Sequence, residues 1–198
     1  MDVKINKEDY LKHKKQITSN TFLKWDNKKQ TYLVMDKKEQ QNYSIIKIDN
    51  SNIDTIDFLI SVLNQWSEIY KKNHGTVKTY EDVTVISLVI LSVIEENNQV
   101  FVYLKGDIKD KKIDNIFGIA ISEQKNENNA VMLTNITNPN SQLEHKERPN
   151  GTIGAIGSNI RHHMINFLFE ELRISNIIST AISDKAAKGL LKIGFKKL

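Results

Sequence analysis

Along the 198-residue chain the apolar positions change period several times, and each change predicts an element. Residues 3–18 carry a loose helical spacing (Ile5, Tyr10, Leu11, Ile17). Thr21–Trp25 and Thr31–Met35 are short aromatic and β-branched runs around a polar turn, which predicts a hairpin. Tyr43–Asp49 reads as a further strand. From Ile53 the spacing becomes helical, with Ile56, Leu59, Ile60, Leu63, Trp66 and Tyr70 on one face up to His74-Gly75. Thr79 and Asp82 fit a capping box before Val83. Val83–Glu96 is rich in valine and isoleucine, yet its length and its i, i+3 spacing favour a helix over a strand.

Three strands follow, Gln99–Leu104, Ile116–Ser122 and Val131–Thr137, separated by polar turns and expected as an antiparallel meander. Asn138-Pro139 ends the third. A polar loop from Asn140 to Pro149 leads to Asn150-Gly-Thr-Ile-Gly-Ala-Ile-Gly-Ser-Asn159 and then to an amphipathic helix, Ile156–Leu172, with Ile160, Met164, Phe167 and Leu168 on its buried face. Asn176–Ile182 is the next strand. Ser183 precedes a last helix, Asp184–Ile193, stopped by Gly194. Strand, glycine loop, helix, strand is a crossover unit, so its two strands are expected to lie parallel and adjacent.

Gly151, Gly154 and Gly157 recur every third residue just before that amphipathic helix. Glycine lets the backbone turn tightly and approach a ligand, and the free N–H groups of a first helical turn can hold an anion. An ordinary loop reads the same way, because glycine punctuates structure everywhere. The decision rests on what surrounds the glycines.

Composition narrows the chemistry. There is no cysteine, which excludes disulfides, a thiol nucleophile and thiolate metal sites. His162 and His163 are adjacent, so on a helix they point about 100° apart and make no ordinary metal pair; no metal is expected. The N-terminal residues lack the apolar stretch of a signal peptide, and the run Val83–Ile94 is too short to span a bilayer. A cytoplasmic protein is the simplest reading. The net charge of +4 sits in residues 1–50, which hold 11 lysines against 7 acidic groups. Those lysines alternate with acids and include no arginine, so a solvated face is favoured over a nucleic-acid surface.

Taken together, the meander, the crossover unit and the tail resemble the GCN5-related N-acetyltransferase (GNAT) family over residues 43–198. Ile136-Thr-Asn-Pro139 stands where that family has a hydrophobic residue, any residue, then proline. Thr152-Ile-Gly-Ala-Ile-Gly-Ser158 stands where it has Arg/Gln-x-x-Gly-x-Gly/Ala. Ser183-Asp-Lys-Ala186 through Gly194-Phe195 stands where it has Asn-x-x-Ala, a tyrosine, then Leu-Gly-Phe. The resemblance implies an α/β acyl-CoA N-acyltransferase fold, a mixed and mostly antiparallel sheet flanked by helices. Residues 1–42 would then be an N-terminal extension of helix and hairpin packed on the core.

What the resemblance implies about function is acetyl transfer from acetyl-CoA, as cosubstrate, to a primary amine of a small molecule or peptide. Pantetheine would enter between the parallel strands and pair with the strand ending at Ile136 and Thr137. The diphosphate would rest on Ala155, Ile156, Gly157, Ser158 and Asn159, with Ser183 and Ala186 beside the cofactor and Lys185 and Lys188 adding charge. A backbone N–H near Thr137 would hold the oxyanion. Glu123, Glu144, His145 and Glu147 are the candidate bases, and Ile53–Glu96 with Asn140–Pro149 would line the acceptor pocket. Departures point the other way: Thr152 and Ala155 are atypical, and Leu190 stands in the position of the tyrosine general acid. A catalytically weak module that binds coenzyme A is therefore the alternative. The two C-terminal strands of the family are missing as well. Either the N-terminal hairpin fills their place or a second copy of the chain covers the exposed sheet edge.

Overall fold

The computed structural model describes residues 1–17, 21–26, 28, 31–36, 41–73, 86–95, 98–142, 156–181 and 184–198. Among the described residues nine strands form one sheet: β1 Asp2–Asn6, β2 Thr21–Asp26, β3 Thr31–Asp36, β4 Gln41–Lys47, β5 Asn98–Leu104, β6 Ile116–Gln124, β7 Asn129–Thr137, β8 Asn176–Thr180 and β9 Lys196–Lys197. Their order is β2-β3-β4-β5-β6-β7-β8-β1-β9. Every neighbouring pair is antiparallel except β7 and β8, which are parallel. The fold is thus the expected mixed, mostly antiparallel sheet, with the hairpin, the meander and the parallel crossover pair where the pattern put them.

Helices cover both faces. Alternation along β5 sends Val100, Val102 and Leu104 into one core with α2 (Ile53–Asn73) and α3 (residues 86–93). Phe101 and Tyr103 go into a second core with Tyr10 of α1 (Lys7–Ile17), with α4 (Ile156–Glu170) and with α5 (Asp184–Ile193). Phe101 meets Phe167 edge-on at 5.0 Å between ring centroids, and Tyr10 lies 5.4 Å from Phe169. Burial on both sides explains why β5 and β6 read as nearly continuous apolar runs. It also explains α3: Ile86, Val89 and Val93 form its inward stripe, so its β-branched residues do not make it a strand.

The chain start departs from expectation. Residues 3–18 do not form one helix; β1 precedes α1. Val3 and Ile5 alternate with Asp2, Lys4 and Asn6, and this period of two puts both apolar side chains in the core at 0% and 1% exposure. Asn6 ends the strand by capping α1, its Oδ1 accepting from the N–H of Asp9 at 2.8 Å. Nor does the hairpin fill the place beside β8. β1 takes that edge, antiparallel to β8, and β9 lies outside it, while β2 and β3 extend the opposite side of the sheet past β4. The outermost strand on the β1 side is two exposed lysines, which blunt it against further pairing. One sheet therefore takes strands from residues 1–42 and from the remainder alike.

The tail is held where α1 and α5 meet. Gly194 has φ +108°, and a Cβ there would stand 2.7 Å from Nδ1 of His13. Both facts call for glycine at this position. Leu198 and Asp2 then bond through the backbone at 3.1 Å.

Two substitutions test this arrangement by equilibrium denaturation. Ile5→Ala is expected to cost about 2–4 kcal/mol, the range for emptying a fully buried aliphatic site. A cost well under 1 kcal/mol would show β1 to be an appendage. Gly194→Ala is expected to destabilise through strain and clash, whereas Gly→Ala at an unstrained site stabilises slightly.

Candidate functional site between the parallel strands

β7 and β8 pair over four rungs only, from Asn129↔Asn176 to Met132↔Ser179. At that last rung the Ser179 hydroxyl donates to the Met132 carbonyl at 3.2 Å. Beyond it the two strands follow different partners. β7 bulges at Leu133, where pairing with β6 jumps from Ser122↔Met132 to Ile121↔Thr134, and a bulge bends its strand. β8 continues along β1, with Asp2↔Thr180 and a bond from the N–H of Ala181 to the Met1 carbonyl at 2.9 Å. The parallel ladder thus stops one residue before β8 ends, while β7 runs on to Thr137, and we term the space beside β7 beyond that rung the cleft.

The far end of β7 is fixed. Asn138 donates its N–H to the Phe117 carbonyl at 2.9 Å and its Nδ2 to the Ile116 carbonyl at 3.3 Å. Since strand backbone alternates sides, Asn138 and Ile136 turn to β6, and the N–H of Thr137 turns to the cleft. From the other side of the sheet the Tyr70 hydroxyl donates to the Thr137 carbonyl at 3.2 Å.

α4 returns from the carboxyl end of β7 and packs on β5, β6 and β7. α5 likewise begins after the carboxyl end of β8. Both helix N-termini therefore face the mouth of the cleft, where free N–H groups and the helix dipole favour negative charge. The carboxyl ends of parallel strands are the usual ligand position in open α/β sheets.

Arg161 lies in the second turn of α4. Its guanidinium is largely buried, its Nε has no hydrogen-bond partner, and burial lowers its pKa. No ion pair to Arg161 occurs among the described residues. Its Nη1 lies 2.9 Å from where a Cβ on Gly189 of α5 would stand, so that glycine leaves the guanidinium room. A buried cation is costly unless an anion compensates it. On a helix that starts at Ile156, the inward position of Arg161 can be read from the sequence. The signal was available: Arg161 shares a stripe with Ile165 and Leu168, four and seven residues on, both fully buried.

His162 and His163 follow on α4, at 8% and 1% exposure. Desolvation, with Arg161 beside it, pushes the pKa of His162 down to about 4. Desolvation and the neighbouring His162 push His163 down to about 3. Both are neutral near pH 7. His162 packs against the Tyr10 ring at 6.4 Å, tilted by 35°.

The remaining sequence candidates divide. Thr137 turns its backbone N–H toward the cleft, whereas Ile136 turns its backbone to β6 and buries its side chain on the α2 face. Ile156, Gly157, Ser158 and Asn159 form the first turn of α4. Ala186 is half-buried on α5 against the core. Ala155, Ser183, Glu144, His145 and Glu147 lie outside the described residues. Glu123 stands at the opposite end of the sheet, opposite Asn98 and Val131, and pairs with Lys125 at 2.6 Å. Leu190 is 3% exposed and packs into the core with Ile193 and Phe195. The bulge at Leu133, the Tyr70 contact and the space at Gly189 were not read from sequence. Each depends on two elements meeting, and no local pattern records that.

Comparison with known proteins adds little. No family model and no curated protein matches this chain. Among solved structures, a tandem GNAT protein from the clavulanic acid biosynthesis pathway, in a form without AcCoA, aligns with a TM-score of 0.41 and 8% identity. The alignment covers 78% of this chain and 42% of that one, so the chain spans less than half the length of that protein. So low a score and identity say nothing of what this chain binds. Among the described residues no helix is long and apolar enough to cross a membrane.

The buried histidines make acid sensitivity measurable. Between about pH 6.5 and 4 the unfolded chain protonates both and the folded chain does not, so stability falls as pH falls through that window. Each histidine contributes a slope of about 1.4 kcal/mol per pH unit where the difference is complete. His163→Asn is expected to lower the slope measured by urea unfolding between pH 4 and 6 by about one proton. An unchanged slope would mean that His163 already binds its proton in the folded state.

Proposed function

We propose that the chain binds an acyl-coenzyme A in the cleft between β7 and β8 and transfers its acetyl group to a primary amine, as a GNAT-like N-acetyltransferase. The observation that carries this reading is the cleft itself. The parallel ladder stops after Met132 and Ser179, α4 and α5 start beyond the carboxyl ends of those strands in chain order, and the Nε of Arg161 is buried without a hydrogen-bond partner. A ligand suited to that setting is extended and amide-bearing, to follow a strand edge, and polyanionic at one end. A pantetheine chain with its diphosphate has that form.

In this reading the N–H of Thr137 and the edge of β7 receive the pantetheine amides and the thioester oxygen. The first turn of α4, from Ile156 to Asn159, receives the diphosphate together with Ala155, and Arg161 balances its charge. Ala186 on α5, and Ser183 just before that helix in the chain, would flank the cofactor. The amine attacks the thioester carbonyl, a tetrahedral oxyanion forms and is held by backbone N–H, and the carbon–sulfur bond then breaks to release the thiolate. The attacking ammonium must lose a proton and the thiolate must gain one.

Leu190 favours a second reading. Its side chain is in the core, so that position offers no acid to the departing thiolate. A protein that binds coenzyme A with little turnover accounts for this equally well.

Calorimetry with acetyl-CoA tests the shared part. Saturable binding is expected, and no heat at high micromolar concentration would sink both readings. Arg161→Gln is expected to weaken binding about tenfold, the loss of one charge-assisted contact, with thermal stability unchanged or raised. Gly157→Trp is expected to abolish binding in a folded protein, and retained binding would put the diphosphate elsewhere. Release of free thiol with a panel of amines then separates the enzyme from the weak module.

A further inference from the structure

The last turns of α2 carry one side chain to the edge of β7 that faces the cleft. Trp66 and Tyr70 stand one turn apart on the inward face of α2, at 1% and 4% exposure, in one core with Leu63 and Ile136. α2 also packs against the 3-10 turn Pro139–Gln142 that follows β7. The Tyr70 hydroxyl donates to the Thr137 carbonyl at 3.2 Å, and the direction of that carbonyl decides where the phenol stands. Asn138 gives its N–H to Phe117 on β6, and Thr137 sits across from Gly118. In an antiparallel pair, bonded residues alternate with residues whose N–H and C=O both turn away from the partner strand. Thr137 therefore sends its N–H and its C=O together to the side away from β6. Among the described residues no strand pairs with that side beyond Met132. The phenol oxygen thus lies on the open edge of β7, beside the Thr137 N–H.

This inference rests on the acetyl-transfer reading, in which the Thr137 N–H receives the thioester oxygen. The sulfur is bonded to the same carbonyl carbon as that oxygen, so a group beside the N–H is also within reach of the sulfur. On α5, Leu190 is buried and has no proton to give. Tyr70 reaches the edge of β7 from the opposite face of the sheet and carries one.

We propose that Tyr70 is the catalytic acid that protonates the departing thiolate. The amine attacks after its ammonium form has lost a proton to water. Its nitrogen bonds to the carbonyl carbon, and the carbonyl pair moves to oxygen. When that pair returns, the carbon–sulfur bond breaks and sulfur keeps the electrons. The phenol gives its proton to sulfur, and the phenolate takes the surplus proton from the former amine nitrogen. A phenol is both donor and acceptor, which this exchange requires. Tyr70 ends each turnover as it began, so the step needs no further acid.

Tyr70→Phe keeps the ring and removes the acid. With a panel of primary amines, kcat and kcat/KM for thiol release from acetyl-CoA are expected to fall together by about a hundredfold. Calorimetric affinity for acetyl-CoA is expected to stay at the wild-type value. A structural role alone would loosen the end of β7, where the pantetheine pairs, and would weaken binding instead. Contact is read separately by fluorine NMR of the whole chain carrying 3-fluorotyrosine, with Tyr70→Phe identifying the Tyr70 signal among the six tyrosines. Acetyl-CoA is expected to shift that signal. Adenosine 3′,5′-bisphosphate, which lacks the pantetheine arm, is expected to leave it in place. Four results overturn the role of Tyr70 while the coenzyme site stands: unchanged turnover in Tyr70→Phe, binding lost along with rate, acetyl-CoA bound by the wild-type chain without thiol release, or a Tyr70 signal that acetyl-CoA does not move. Absence of acetyl-CoA binding overturns the acetyl-transfer reading itself, and this inference with it.

Discussion

At the rung where Ser179 donates to the Met132 carbonyl, the parallel ladder between β7 and β8 ends, and the arrangement of the rest follows from where that ending is held. β7 stays paired with β6 through the register shift at Leu133 and on to Asn138, which bonds Phe117 and Ile116, while its other side has no strand beside it among the described residues beyond that rung. β8 stays paired with β1 up to Thr180, and Ala181 bonds Met1. Were the first strand absent, β8 would have one neighbour along four rungs and nothing to hold it apart from β7. The N-terminal residues are thus part of what makes the cleft, although they lie on its far side.

The same division explains the helices. Two parallel strands joined by a helix oblige that helix to start at their carboxyl ends, which is also where the cleft opens. α4 then carries the buried His162 and His163, next to the partly buried Arg161, in its second turn. The histidines adapt to burial by staying neutral. The guanidinium cannot, because no accessible pH removes its charge. The same desolvation thus leaves two neutral rings and one charge side by side on α4.

Much of the architecture was legible because it depends on local periodicity. The helical stripes of α2, α4 and α5 and the apolar runs of β5 to β7 each carry their own signal, and the crossover rule supplied the parallel pairing. β1 escaped because five residues with Val3 and Ile5 inward are too few to outweigh the helical pattern after Lys7. The edge it occupies is set by a strand more than 170 residues away. The candidate site was legible only in outline. Thr137 and the first turn of α4 follow from order along the chain. The pairing of Arg161 with the space above Gly189 depends on how closely two helices approach, which neither helix encodes alone.

Glycine positions show how one residue type gives different information at different places. Gly194 is required by its own backbone, with positive φ and His13 against it. Gly189 has no such constraint and sits inside a helix, where glycine costs about 1 kcal/mol relative to alanine. A helix keeps such a residue when something else needs the volume, and what occupies it is the end of the Arg161 side chain. That end is flexible, so an alanine at 189 would move the guanidinium rather than unfold the helix. The glycine therefore bears on where one buried charge points, and through it on the electrostatics at the mouth of the cleft, more than on whether α5 forms.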